Sequence, residues 1–145
     1  MKKFKNILLL LLLCTSFVSV GQTKTLDSLV QKINNNDVYV VILETISPRI
    51  SGVTENEIIA LGKEATPSLI GVLDDKNRGI AAHVLLSKIW NDKFPEATCC
   101  NLQYIRNMEI ITINGLKIYI EDNTLVATQE DLKKNKENWV RIVAS

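Results

Sequence analysis

The sequence predicts an α+β chain, mainly α: a short antiparallel helix stack followed by a β-hairpin and a C-terminal helix. Three observations predict it. Apolar residues recur at helical spacing through the first half of the chain, beginning with Leu26, Leu29, Val30 and Ile33 at i, i+3, i+4 and i+7. Asn114-Gly115 stands between two alternating apolar runs, which is the strongest short-range hairpin signal. The closing run TQEDLKKNKENWVRIV has a hydroxyl cap, acids in its first turn and an apolar stripe, the marks of a surface helix. A chain of 145 residues gives one small domain with one modest core.

The N-terminus reads as an address. MKKFKNILLLLLLCTSFVSVGQTK runs from lysines through an apolar core, Ile7 to Leu13, to small residues, the layout of a secretory signal peptide. Ser19 and Gly21 suit the peptidase pocket, so residues 1–21 are expected to be removed, with cleavage before Gln22. The apolar run falls short of the roughly 20 residues of a spanning helix, so no stable membrane insertion is expected after cleavage. A retained signal anchor, or a lipid on Cys14, is the alternative. Leu13 precedes Cys14 where an acylation motif has a small residue, which disfavours the lipid. The expected location is the periplasm or the exterior.

Removing residues 1–21 takes Lys2, Lys3 and Lys5 from the 17 basic residues and none of the 16 acids, leaving 14 against 16. No concentrated basic face results, which argues against nucleic acid as a partner.

The elements follow in order for a single domain over 22–145. The first helix carries the Leu26–Ile33 face and ends at the run Asn34 to Asn36. The next segment, 38–47, is rich in β-branched residues, and periodicity does not separate a buried strand from a buried helix. A helix is favoured, because Asp37 is a good N-cap and the neighbours are helical. Pro48 and Gly52 make PRISGVTENEI a loop. Thr54 then caps a short helix through Leu61, with Glu57 completing a capping box. Gly62 stops that helix, and Pro67 suits the first turn of another. Asp74 and Asp75 mark a turn, and a helix follows from about Arg78 to Trp90, with Ala82, Leu85 and Ile89 along one side and Ala81 and Leu86 widening it.

In the run LGKEATPSLIGVLDDKNRGIAAHVLLSKIW, residues 61–90, Leu61, Gly62, Glu64, Ala65 and Pro67 precede a first helix carrying Leu69, Ile70 and Leu73. Asp75 follows in the turn, and Ala81, Ala82, Leu86 and Ile89 lie on the second helix. This pattern resembles one HEAT-like repeat of the bacterial type also found in phycobilisome lyases. The resemblance covers about 30 of the 145 residues and implies a helical stack, since paired helices bury their apolar faces only by stacking on neighbours. Two residues depart from it. Gly79 weakens the helix start by about 1 kcal/mol relative to alanine. Trp90 replaces a small residue, which implies that the stack ends there under the tryptophan.

Beyond the stack, the hairpin over 109–120 pairs Ile113 with Leu116 and Ile111 with Ile118 on an aliphatic face. A lone hairpin is marginal in water, so this face should dock on the helices. Asp122-Asn123 offers a second turn into a third strand, Leu125 to Ala127, giving a three-stranded meander. The last helix, 128–142, starts at Thr128, buries Leu132, Trp139 and Val143, and can pair Glu130 with Lys134 and Lys133 with Glu137.

Chemistry-bearing residues are few. His83, the single histidine, suits a general base or a ligand by its pKa range, but no acid or cysteine lies near it in sequence, so a structural or surface role is favoured. Cys99 and Cys100 can form a vicinal disulfide in an oxidising compartment, bond to another chain, or stay reduced. As a metal site they lack separated ligand pairs, so no metal and no cofactor is expected. Arg49, among hydroxyls in SPRISGVTEN, can meet a carboxylate or phosphate, although a polar connection is the commoner use of such a segment.

The expected function is therefore non-enzymatic: an exported protein-binding or scaffold module with a protein partner. The alternative is a small periplasmic thiol enzyme or redox protein using Cys99 or Cys100. A lyase-like chaperone for a cofactor is suggested only by the repeat's other hosts.

Overall fold

A computed structural model describes residues 25–42, 46–94, 100–105 and 108–145. The expected signal peptide, residues 1–21 with Cys14, and Cys99 lie outside the described residues. The fold is α+β, mainly α, as the sequence predicts, but it contains more strand than a single hairpin.

The first helix, α1 (25–32), buries Val30 and, just beyond it, Ile33. A 3-10 turn, Asn35–Asp37, follows, capped by the Asn34 side chain. The segment expected to be helical is instead an antiparallel hairpin: β1 (Val38–Ile42) pairs with β2 (Ile46–Ile50), placing Val38 opposite Ile50, Tyr39 opposite Arg49 and Val40 opposite Pro48. The β-branched run decides this once a partner strand exists, since such side chains pack well on a pleated surface. Pro48 makes the second half of this partner, 48–50, read as a loop in the sequence. In a two-stranded sheet every strand is an edge, so a residue without an N–H is tolerated.

Helix α2 (Thr54–Leu61) begins at the expected residue without the expected capping box. Val53 holds the cap position, and its carbonyl accepts from the Glu57 amide at 3.2 Å. No side chain caps this helix end, and Thr54 lies inside the first turn. Gly62, with φ of 59°, ends α2 in a conformation that favours glycine. A 3-10 turn leads to the short α3 (Thr66–Gly71), with Pro67 in its first turn as predicted.

The central element is α4 (Gly79–Ile89). Every residue from Gly79 to Ser87 is buried, so this helix is apolar nearly all round. It packs on α2, α3, β2 and the 3-10 turn at Asn35, and reaches β4 and α5 through His83. A stack of helix pairs would leave one side of such a helix to another pair, whereas here strands and α5 supply the remaining cover. Its N-terminus is capped from a distance: Asn35 Oδ1 accepts from the Ile80 and Ala81 amides at 3.0 and 3.1 Å, while Asn35 Nδ2 donates to the Lys76 carbonyl at 2.7 Å. Gly79 is required by close approach. A Cβ there would lie 2.4 Å from the Leu73 carbonyl oxygen and 2.9 Å from Leu132 Cδ2. At the other end the Trp90 indole donates to Thr66 Oγ1 at 3.0 Å under the Lys63 ammonium, tying the end of α4 to the start of α3.

The second sheet is a four-stranded antiparallel meander, β3 (Cys100–Ile105), β4 (Met108–Ile113), β5 (Leu116–Glu121) and β6 (Thr124–Val126). The predicted pairs Ile113–Leu116 and Ile111–Ile118 are present, all four side chains are buried, and Asn114 and Gly115 have the positive φ that this turn demands. Asp122 and Asn123 repeat the device before β6. Strand β6 begins one residue earlier than expected, and β3 was not foreseen. Cys100, Leu102 and Tyr104 alternate with Asn101 and Gln103 behind Pro95, so the strand pattern is present in the sequence, although Tyr104 is largely exposed.

Helix α5 (Gln129–Ala144) starts at the predicted cap, with Thr128 Oγ1 accepting from the Asp131 amide at 3.1 Å. It buries Leu132, Asn135 and Trp139. Glu130 and Lys134 pair at 2.7 Å, and no ion pair joins Lys133 to Glu137. The outcome is one continuous core around α4, from Val30 on α1 to Trp139 on α5.

Candidate ligand-binding cleft

His83 is fully buried, and both of its ring nitrogens are engaged. The Trp139 indole N–H donates to Nδ1 at 2.9 Å, so Nδ1 is an acceptor and carries no proton. Nε2 then carries the hydrogen and donates to the Ile113 carbonyl at 2.7 Å. The Trp139 ring meets the imidazole edge-on, and Phe94 packs edge-on against the same indole. Burial, opposed by the bond to Ile113 and by Asn135, lowers the His83 pKa to about 4. The imidazole is neutral at physiological pH and joins α4, β4 and α5. With no free lone pair and no path to solvent, it cannot take a proton from a substrate in this arrangement.

Cys100 opens β3 opposite Ile113, and is half-buried. Among the described residues no cluster of three or more histidine, cysteine, aspartate or glutamate side chains is placed to hold a metal, and no helix is long and apolar enough to cross a membrane.

Arg49, the other residue singled out in the sequence, lies in a built site. It sits on strand β2 and not in a loop. The β1–β2 register puts Arg49 and Ser47 on the outward face, opposite Tyr39 and Val41, while Pro48 and Ile50 turn inward. This outward face forms one wall of a cleft of about 380 Å³. Helix α2 contributes Glu55, Asn56 and Ile59, and α4 contributes Val84, Ser87 and Lys88. Asn91, Phe94 and the hairpin-turn residue Asn114 close it.

The polar groups of this cleft fall into two sets. Glu55 is spent on the fold: its carboxylate accepts from the Ile50 amide at 3.3 Å and pairs with the Lys88 ammonium, locking α2 to β2 and α4. Arg49 makes no ion pair or side-chain hydrogen bond among the described residues, so its guanidinium is available. Ser87 Oγ and Asn114 Oδ1 are buried from solvent and have no hydrogen-bond partner in the protein. Buried polar atoms are nearly always satisfied, because leaving one unpaired costs about 1–3 kcal/mol. Neither oxygen has accessible surface, so a ligand in the cleft does not reach either of them in this arrangement.

A second depression of about 640 Å³ runs along α5 between Lys133, Lys136 and Val140. It is larger but less equipped. Lys136 is paired with Asp74 at 2.8 Å, and none of its lining residues holds a buried polar atom without a partner.

Of the sequence candidates, the structure brings Arg49 into this cleft and keeps His83 out of it. The residues that sequence reasoning missed are Ser87, Asn114, Glu55 and Lys88. Ser87 was detectable as the one hydroxyl in the apolar run AAHVLLS. Asn114 was seen only as a turn former.

Comparison with family models, with curated proteins and with solved structures found no match to this chain.

Proposed function

We propose that the chain is an exported, non-enzymatic binding module that holds a protein partner in the cleft between β2, α2 and α4. The α3–α4 helix pair, which resembles a HEAT-like unit, serves in this reading as the scaffold that carries Val84, Ser87 and Lys88 to the site. One observation supports it above the others: the exposed, unpaired Arg49 stands in the wall of a cleft that also offers apolar surface from Ile59 and Phe94. Small-ligand and peptide sites have this composition, an apolar wall with a few placed polar groups. The buried neutral histidine favours a structural role for the residue best suited to acid–base catalysis.

The test is a library of short peptides, with free and with blocked termini, screened by NMR against ¹⁵N-labelled protein spanning 22–145. Peptides that shift the amides of Arg49, Ser87, Lys88 and Asn114, and that bind at least about tenfold more weakly to Asn56→Trp, support the reading. Asn56 is exposed at the rim, so the tryptophan obstructs the cleft without entering the core. Peptides that bind the variant equally well, or a library with no binder at all, would refute it.

A further inference from the structure

The meander β3–β6 has two faces, and the core takes only one of them. Leu102, Ile111, Ile118 and Leu125 lie on the covered face. On the opposite face the register aligns Gln103, Ile110, Tyr119 and Val126 in a single row across all four strands. Ile110, Tyr119 and Val126 neither belong to the core around α4 nor pack against it. An antiparallel sheet can leave one face to water, but such a face is ordinarily polar along its strands. Here three of the four positions in the middle row are apolar, and polar residues rim them. Asn101, Thr112 and Lys117 stand on one side of the row, Glu121 and Thr124 on the other.

The two charges of this rim lie on β5, two residues to either side of Tyr119, and both are exposed. Neither Lys117 nor Glu121 makes an ion pair or a side-chain hydrogen bond among the described residues. This pattern is complementary to itself. A second copy turned over about a twofold axis along the middle row lays each strand antiparallel to its own equivalent. Ile110, Tyr119 and Val126 then meet the same residues, and Lys117 of each copy meets Glu121 of the other, as an isologous contact requires. A twofold axis parallel to the strands would set lysine on lysine and glutamate on glutamate, which like-charge repulsion opposes. Any other occupant has to supply an anion and a cation at this spacing on either side of an apolar row, whereas a second copy carries them already.

We propose that the solvent face of the meander is a homodimer interface, in which two copies pack sheet to sheet about a twofold axis along the Gln103–Val126 row. Apolar contact along the row and two reciprocal Lys117–Glu121 pairs hold it. None of these residues lines the cleft beside Arg49, so the dimer carries two clefts. At ordinary strand spacing and rise the face measures roughly 19 by 17 Å, which is small for a specific interface, so association is reversible, with a Kd of about 10 µM to 1 mM.

Sedimentation equilibrium tests this on protein spanning 22–145, which contains every core residue from Val30 to Trp139. Over about 10 µM to 1 mM the chain should pass from monomer to dimer. Lys117→Glu sets acid against acid at both pairs, and Glu121→Lys sets base against base, so each should weaken the dimer at least about tenfold. Both side chains are exposed and unpaired, so neither change disturbs the core. The double reversal, Lys117→Glu with Glu121→Lys, restores opposite charges across the axis and should return the Kd to within about threefold of the wild-type value. A chain that stays monomeric to about 1 mM overturns the proposal. So does a dimer indifferent to the single reversals, or one that the double reversal does not restore.

Discussion

Acidification from pH 7 to pH 5 should weaken the fold through His83. The imidazole is neutral in the folded protein, where its pKa is about 4, and returns to the ordinary value of 6.5 when the chain unfolds. Between these values the unfolded chain binds a proton that the folded chain does not, so stability rises with pH there. The contribution is complete above pH 6.5 and disappears as pH falls through 4. Its full size is about 3 kcal/mol, and the share lost between pH 7 and pH 5 is about 2 kcal/mol. His83 is the only histidine, so no other side chain has its ordinary pKa between pH 5 and pH 7. The carboxyls of Asp74 and Asp75, which lie below their usual range beside Lys136 and Arg78, act with the same sign but at lower pH. Urea unfolding followed by the fluorescence of Trp90 and Trp139 measures the effect. With a urea slope of about 1–3 kcal/mol per molar, the midpoint should drop by about 1 M from pH 7 to pH 5. His83→Gln should be less stable at pH 7 and nearly flat across the same range. An unchanged wild-type midpoint, or an equal slope in the glutamine variant, would refute the assignment of a buried neutral imidazole.

Three further outcomes are expected. Asn35→Ala should cost about 2 kcal/mol or more in chemical denaturation, because it strips the distant cap from α4 and leaves the buried Ile80 and Ala81 amides without an acceptor. Gly79→Ala should lower the melting temperature, although helix propensity alone favours alanine by about 1 kcal/mol, since the new methyl collides with the Leu73 carbonyl. Trp139→Phe retains the ring contact with Phe94 but removes the donor to His83 Nδ1, so the His83 pKa should rise toward its ordinary value, readable from imidazole ¹⁵N shifts.

How far the sequence carries is visible element by element. Asn114-Gly115 fixed its own turn and the register on both sides of it, because positive φ at two successive positions admits few other residues. Gly62, Pro67 and Thr128 marked helix ends or starts for similarly local reasons. Residues 38–50 failed because strand formation there depends on each half finding the other. The β-branched run 38–42 was ambiguous by itself, and Pro48 concealed its partner. Arg49 was noticed as a loop cation, but its neighbours in the cleft come from four separate elements, and spacing along the chain could not assemble them.

Backbone chemistry within a few residues determined by itself the α+β class, the hairpin turn, the stop at Gly62 and the start of α5. The tertiary structure alone decided what the two conspicuous residues mean. Gly79 looked like a weak helix start, yet it makes room for the Leu73 carbonyl and Leu132. His83 has no polar partner near it in sequence, yet it joins Trp139 to Ile113 across the core. The physical reason is the same in both cases. Propensity and turn geometry act over single residues, whereas close approach and the satisfaction of buried polar groups depend on atoms tens of residues away.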